Sequence, residues 1–204
     1  MKKMCIIGTG GYAKEIFWLI EEIGIADQVE CFMEPDDGYE ERTMMDRPVR
    51  PQSEFDSSKH SAIIAIGNSR IREKVVQQLP ADTEYPNLIS PNAQVTRWVK
   101  LGKGVIIQTS VVVTVDVTIG DFVHLNGFTT VGHDTIVGDF TTTTVFVALS
   151  GECNIGKHSY WGNGASVRQG MTICDHVMVG MGGMVVKPIT EPGVYAGIPA
   201  KKIK

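Results

Sequence analysis

The sequence predicts a chain in two parts: a small parallel αβ unit, then a long parallel β-solenoid. Three observations carry this expectation. From Ile89 to Val185 an apolar residue returns at every sixth position, and of the seventeen such positions only Thr143 is not apolar. A small or apolar residue recurs four places after each of them, as at Ala93, Val111, Thr129, Thr141, Cys153 and Ala165. Ahead of Ile89, short apolar runs alternate with helical patterning, and a glycine-rich turn follows the first run.

A period of six matches neither a helix nor an alternating strand. It is the signature of a solenoid, in which each hexad supplies a short strand and a turn. Three hexads make one triangular coil, so residues three hexads apart stack, roughly 4.8 Å up the axis. The apolar residue points inward and the small one fits the narrow interior near a corner. Glycine directly follows the apolar residue at Gly102, Gly120, Gly132, Gly138, Gly156, Gly162 and Gly180.

The elements follow in order. Met4–Gly8 reads as a buried strand, too short in its apolar part for the core of a secretory leader. Gly8-Thr9-Gly10-Gly11-Tyr12 is a turn, and a helix is expected from about Ala13 to Ile23, with Ile16, Leu19, Ile20 and Ile23 on one face. Val29–Met33 and Ala62–Ile66 read as further strands. A second helix is expected over Ser69–Gln78, capped by Ser69. Strands alternating with helices indicate a parallel sheet. The domains are placed at residues 1–82 and 83–204. The tail from Pro188 to Lys204 is expected to cover the last coil, whose open end would otherwise expose core and strand edges.

Composition excludes several classes. Net charge is −4, with no basic stripe, which argues against nucleic acid as a partner. No segment reaches the ~18 apolar residues of a membrane span. Cys5, Cys31, Cys153 and Cys174 show no paired spacing and read as free thiols in a reducing cytoplasm.

Two motifs carry chemistry. Gly8-x-Gly10-x-x-Ala13, between a strand and a helix, fits a phosphate cradle built from a helix N-terminus. Glu34 ends the second strand, where a ribose hydroxyl would be read. A nicotinamide cofactor is one reading, but about 85 residues supply only half of a dinucleotide fold, so a nucleotide-linked small molecule is favoured. The second motif is Val131-Gly132-His133-Asp134, with His133 on an outward position. An imidazole is suited to deprotonating an amine or hydroxyl near neutrality, and Asp134 would orient the ring or raise its basicity. His158 and His176 are one coil apart and form a structural ladder, with no metal site expected. His60 reads as a surface residue.

Several segments resemble the NeuD/PglD-type sugar acetyltransferases of bacterial surface-glycan pathways: GTGGYAKE at 8–15, AIGN at 65–68, NLISPNA at 87–93, HLN at 124–126, VGHDTIVGDF at 131–140 and GVYAGIPAK at 193–201. The resemblance implies an α/β N-terminal half-Rossmann domain followed by a left-handed parallel β-helix built from hexapeptide repeats. It implies a homotrimer with acetyl-CoA as donor and active sites between adjacent β-helices. His133 would be the general base and Asp134 the carboxylate that tunes it. A nucleotide-linked amino sugar, of the 4-amino-4,6-dideoxyhexose type, would lie against Gly10, Gly11, Tyr12, Glu34 and Gly67. The acetyl-CoA arm would pass Thr142, Asn163 and Met181. Two departures stand out: some members carry His in place of Tyr12, and some carry a second His in place of Thr142. His124, one coil before Thr142, is a candidate replacement donor. O-acetylation of a sialic-acid-type sugar and a non-catalytic nucleotide-sugar scaffold are the alternatives.

Overall fold

The computed structural model describes residues 2–204 and divides into two compact units, Met1–Leu88 and Ile89–Lys204. The division falls a few residues after the sequence boundary at 82. The segment after α2 explains the shift: the Ala62 N–H donates to the Glu84 carbonyl at 2.9 Å, so the connection pairs with the first unit's sheet.

The first unit is a five-stranded sheet in the order β3-β4-β2-β1-β5. Its strands are β1 (Lys3–Ile7), β2 (Val29–Glu34), β3 (Thr43–Met44), β4 (Arg47–Pro51) and β5 (His60–Ile64). β4, β2, β1 and β5 run parallel, and β3 joins β4 as a short hairpin. Helix α1 (Gly11–Ile23) begins two residues earlier than expected and buries Ala13, Ile16, Phe17, Leu19 and Ile20. It stops at Gly24, which takes the left-handed conformation at φ 83° and donates its N–H to the Glu21 carbonyl. Helix α2 (Ser69–Gln78) has the expected bounds, but its cap is Asn68, whose side chain accepts from the N–H groups of Arg70 and Ile71.

β5 spans His60–Ile64, two residues upstream of the run read from the sequence. His60 is therefore a strand residue and 6% exposed, which corrects its reading as a surface histidine. Its Nδ1 accepts from the Asp56 N–H at 3.3 Å, its Nε2 lies 3.4 Å from Glu30, and its ring packs against Phe55. The turn before it folds back, with the His60 N–H donating to the Asp56 carbonyl at 2.8 Å.

The second unit is the solenoid. Its strands fall into three sheets, the sides of a prism. The first side carries Val95, Val113, Val131, Leu149, Val167 and Val185; the second Leu101, Ile119, Val137, Ile155 and Ile173; the third Ile107, Leu125, Thr143, Trp161 and Val179. Each strand pairs with the strand one coil on, as Thr130 with Ala148 and His124 with Thr142. The stacked inward residues form one continuous core. Thr143, the exception to the apolar period, is fully buried, and its hydroxyl meets that of Thr129 at 2.9 Å. A buried hydroxyl is tolerated there because it is paired. The glycines after the inward residues answer to close packing between coils: a Cβ on Gly138 would sit 2.7 Å from the Lys157 backbone nitrogen.

From Gly104 to Gly182 each corner turns through a residue in the left-handed region, and most are not glycine: Asp116, Asp134 and Glu152 at the first-to-second corner, Phe128 and Phe146 at the third-to-first, Phe122, Phe140, His158 and His176 at the second-to-third. The last four stack face to face at 4.8–5.2 Å, so the histidine pair continues an aromatic ladder. The tail closes the end as expected. Ile189 is buried in the core, Gly193–Ala196 adds a parallel strand beside Val177–Val179, and Lys201–Lys202 turns back antiparallel on it.

Candidate functional site

In the first unit the expected binding residues gather at the carboxyl ends of three neighbouring strands. β1 ends in Gly8, whose N–H donates to the Met33 carbonyl at 2.8 Å. Gly8 has φ 126°, and a Cβ there would lie 2.8 Å from the Ala65 carbonyl oxygen. Glycine is therefore required twice over, by conformation and by space. Gly10 caps α1 with no side-chain hydrogen bond, and the space beside Gly10 and Gly11 is open: a Cβ on either would meet nothing within 4 Å. Gly67 follows β5, and the buried Arg72 guanidinium donates to the carbonyls of Ile66 and Gly67 at 2.6 and 3.1 Å. Burial pushes Arg72 down to about 10. Tyr12 is half-buried, and burial pushes its phenol up. The crevice outside the carboxyl ends of a parallel sheet is where open αβ folds take ligands.

Glu34 lies where it was expected, but its carboxylate is already engaged. Arg42 grips both oxygens, at 2.5 and 2.6 Å, and the Thr9 hydroxyl donates at 2.9 Å. The Arg42 guanidinium, with the Thr9 hydroxyl, holds the Glu34 carboxyl below the usual range. The more exposed member of the pair is Arg42, at 42% against 13%. Sequence reasoning missed Arg42, which arrives from the segment ahead of the β3–β4 hairpin. Thr9 was given no role either, although its hydroxyl stands inside the glycine turn.

In the second unit His133 and Asp134 stand on an exposed corner between the first and second sides. Their side chains are 47% and 58% exposed, and Nδ1 lies 2.7 Å from the Asp134 carboxylate. Asp134 has φ 57°, and this turn conformation brings its carboxylate back beside the preceding ring. Facing a carboxylate, Nδ1 carries the proton, and Nε2 is left as the basic nitrogen.

The residues expected to hold the donor are elsewhere on the prism. Asn163 and Met181 stack at the corner between the third and first sides, where Gly182 donates to the Asn163 carbonyl at 2.8 Å. Met181 is 76% exposed. Thr142 is buried on the third side, aligned with His124 below and Tyr160 above. One chain thus separates His133 from Asn163 and Met181 by a whole side of the prism, on the order of 15–20 Å. Among the described residues no group of three His, Cys, Asp or Glu side chains could hold a metal, and no helix is long and apolar enough to cross a membrane.

Residues 3–79 match the family described as the PglD N-terminal domain. A GDP-perosamine N-acetyltransferase of Escherichia coli O157:H7 is 31% identical over 109 residues, covering 53% of this chain and 49% of that one. The chain spans less than half the length of the curated relatives it matches. Solved structures align over nearly the full length. PerB from Caulobacter crescentus in complex with CoA and GDP-perosamine superposes with a TM-score of 0.91 and 28% identity, covering 100% of this chain and 98% of that one. The acetyltransferase domain of PglB from Neisseria gonorrhoeae FA1090, in complex with acetyl coenzyme A, gives 0.90 and 28%, covering 99% of each.

Proposed function

We propose that the chain is a hexapeptide-repeat sugar acetyltransferase of the NeuD/PglD type, which transfers the acetyl group of acetyl-CoA to the amine of a nucleotide-linked amino sugar; the match to the PglD N-terminal domain and the full-length likeness to PerB support this reading. The acceptor is of the 4-amino-4,6-dideoxyhexose type, and the reaction belongs to cytoplasmic assembly of a surface glycan. The observation that carries the reading is the 2.7 Å His133–Asp134 contact on an exposed corner. It supports the tautomer with the proton on Nδ1, which leaves Nε2 able to accept one.

The neutral amine attacks the thioester carbonyl as Nε2 takes the amine proton. The tetrahedral oxyanion collapses, the carbon–sulfur bond breaks, and the imidazolium returns its proton to the CoA thiolate. Direct transfer is favoured over an acyl-enzyme, since Cys5, Cys31 and Cys153 are buried and none belongs to the His133 motif. The acceptor's nucleotide lies at the open Gly10–Gly11 turn, with Arg42 and Gly67 beside it. The donor arm runs along Thr142, Asn163 and Met181. Release of free thiol from acetyl-CoA, tested against UDP-, dTDP- and GDP-linked amino sugars, checks the assignment. No release with any amine acceptor, or release only with a hydroxyl acceptor, would overturn it.

The separation of His133 from Asn163 and Met181 supports a shared site. Two copies related by a three-fold axis along the prism bring one chain's first-to-second corner toward a neighbour's third-to-first corner. That second corner carries Phe128 and Phe146, stacked at 4.8 Å yet 49% and 62% exposed, an apolar ladder that a neighbour would cover. Closed cyclic oligomers fit such contacts. The expected result of sedimentation at micromolar concentration is a three-chain mass, and Phe146→Asp should lower it. A wild-type monomer with full activity would sink the shared site.

A further inference from the structure

We propose that Gly151 is a positioning residue for the His133 imidazole, its bare α-carbon being the seat on which the ring rests. The inference depends on the assignment of His133 as the base. Gly151 lies one coil after His133 and so directly above it in the column, and the Glu152 N–H donates to the His133 carbonyl at 2.7 Å. A Cβ on Gly151 would stand 2.7 Å from Nε2, 2.9 Å from Cε1 and 3.0 Å from Cδ2 of the ring. Ordinary carbon contacts sit at about 3.5–4.0 Å, so the ring cannot keep its place beside even a methyl group.

The backbone does not ask for glycine there. Gly151 is outside the left-handed region, so alanine would be conformationally acceptable. The space belongs to the ring. Asp134 holds the imidazole at Nδ1, and the bare backbone of Gly151 accommodates the edge that carries Nε2. Losing the seat would turn the ring, and turning the ring would break the Asp134 contact and re-aim Nε2. Val115 and Gln169 occupy the same column without this constraint, so glycine is demanded at the one position directly above the base.

Four proteins test this: wild type, Gly151→Ala, His133→Ala and the double variant. Gly151→Ala should lower kcat roughly 10–100-fold, the cost of a reacting group about an ångström out of place, with both KM values near wild type. In the His133→Ala background the same substitution should cost nothing further, since the two residues act as one unit. Nitrogen-15 spectra of the imidazole should show loss of the Nδ1–Asp134 hydrogen bond in Gly151→Ala, with the thermal unfolding of the variant close to that of the parent. An equal loss of kcat in both backgrounds would overturn the proposal, because the glycine would then be acting on substrate and not through the ring. An unchanged imidazole spectrum would overturn it as well. Failure of the base assignment shows separately, as an active His133→Ala enzyme, and the spectrum still decides the seat.

Discussion

Replacing His133 with alanine should lower kcat by about 10²–10⁴-fold, the usual contribution of a positioned general base. The fold should survive, because the side chain is 47% exposed and packs little apolar surface. Both substrates should still bind, since the imidazole acts chiefly in the transition state. Asp134→Asn keeps the shape of the partner but removes its charge, so its rate should fall less than that of His133→Ala. Turnover of His133→Ala within about threefold of wild type would remove the base from this corner.

Gly10→Val should act on the acceptor alone. The backbone at Gly10 is extended, with φ −80° and ψ −179°, and a Cβ there meets nothing in the chain. Valine therefore fits the free protein, and only a ligand brought against the turn would strike it. Intruding methyl groups cost about 1–3 kcal/mol, so the acceptor KM should rise roughly 10–100-fold. The acetyl-CoA KM and the oligomeric state should stay near wild type. Equal damage to both KM values would mean that the glycine turn serves a different ligand.

The solenoid was legible because its period is long, regular and carried by inward side chains, so a single register shows it. Even the flaw at Thr143 is local, cancelled by the hydroxyl of Thr129 on the preceding coil. The glycine turn and the His133–Asp134 pair were legible because their geometry lies within consecutive residues. What escaped depends on residues that only the folded sheet brings together. Arg42 reaches Glu34 because the segment ahead of the β3–β4 hairpin returns to the end of β2, and nothing in its local sequence announces that return. Cys5 and Cys31 show no paired spacing, yet the register of β1 against β2 sets their sulfurs 3.5 Å apart as buried free thiols. His60 escaped because its strand starts two residues early, and Asn68 caps where Ser69 was expected, both errors of boundary and not of type.

The stacking of successive coils turns sequence distance into an address. From His133 to Asn163 the chain runs one full coil and two further sides, and that remainder is what assigns them to different corners. A whole coil inserted between them would lift Asn163 by one level and leave its corner unchanged. A single hexad inserted would carry it round to the first-to-second corner, away from the corner that the proposed shared site uses. A whole coil would also displace Asn163 by roughly 4.8 Å along the axis, so insertions compatible with activity should be looped out at a corner, where they add nothing to the count.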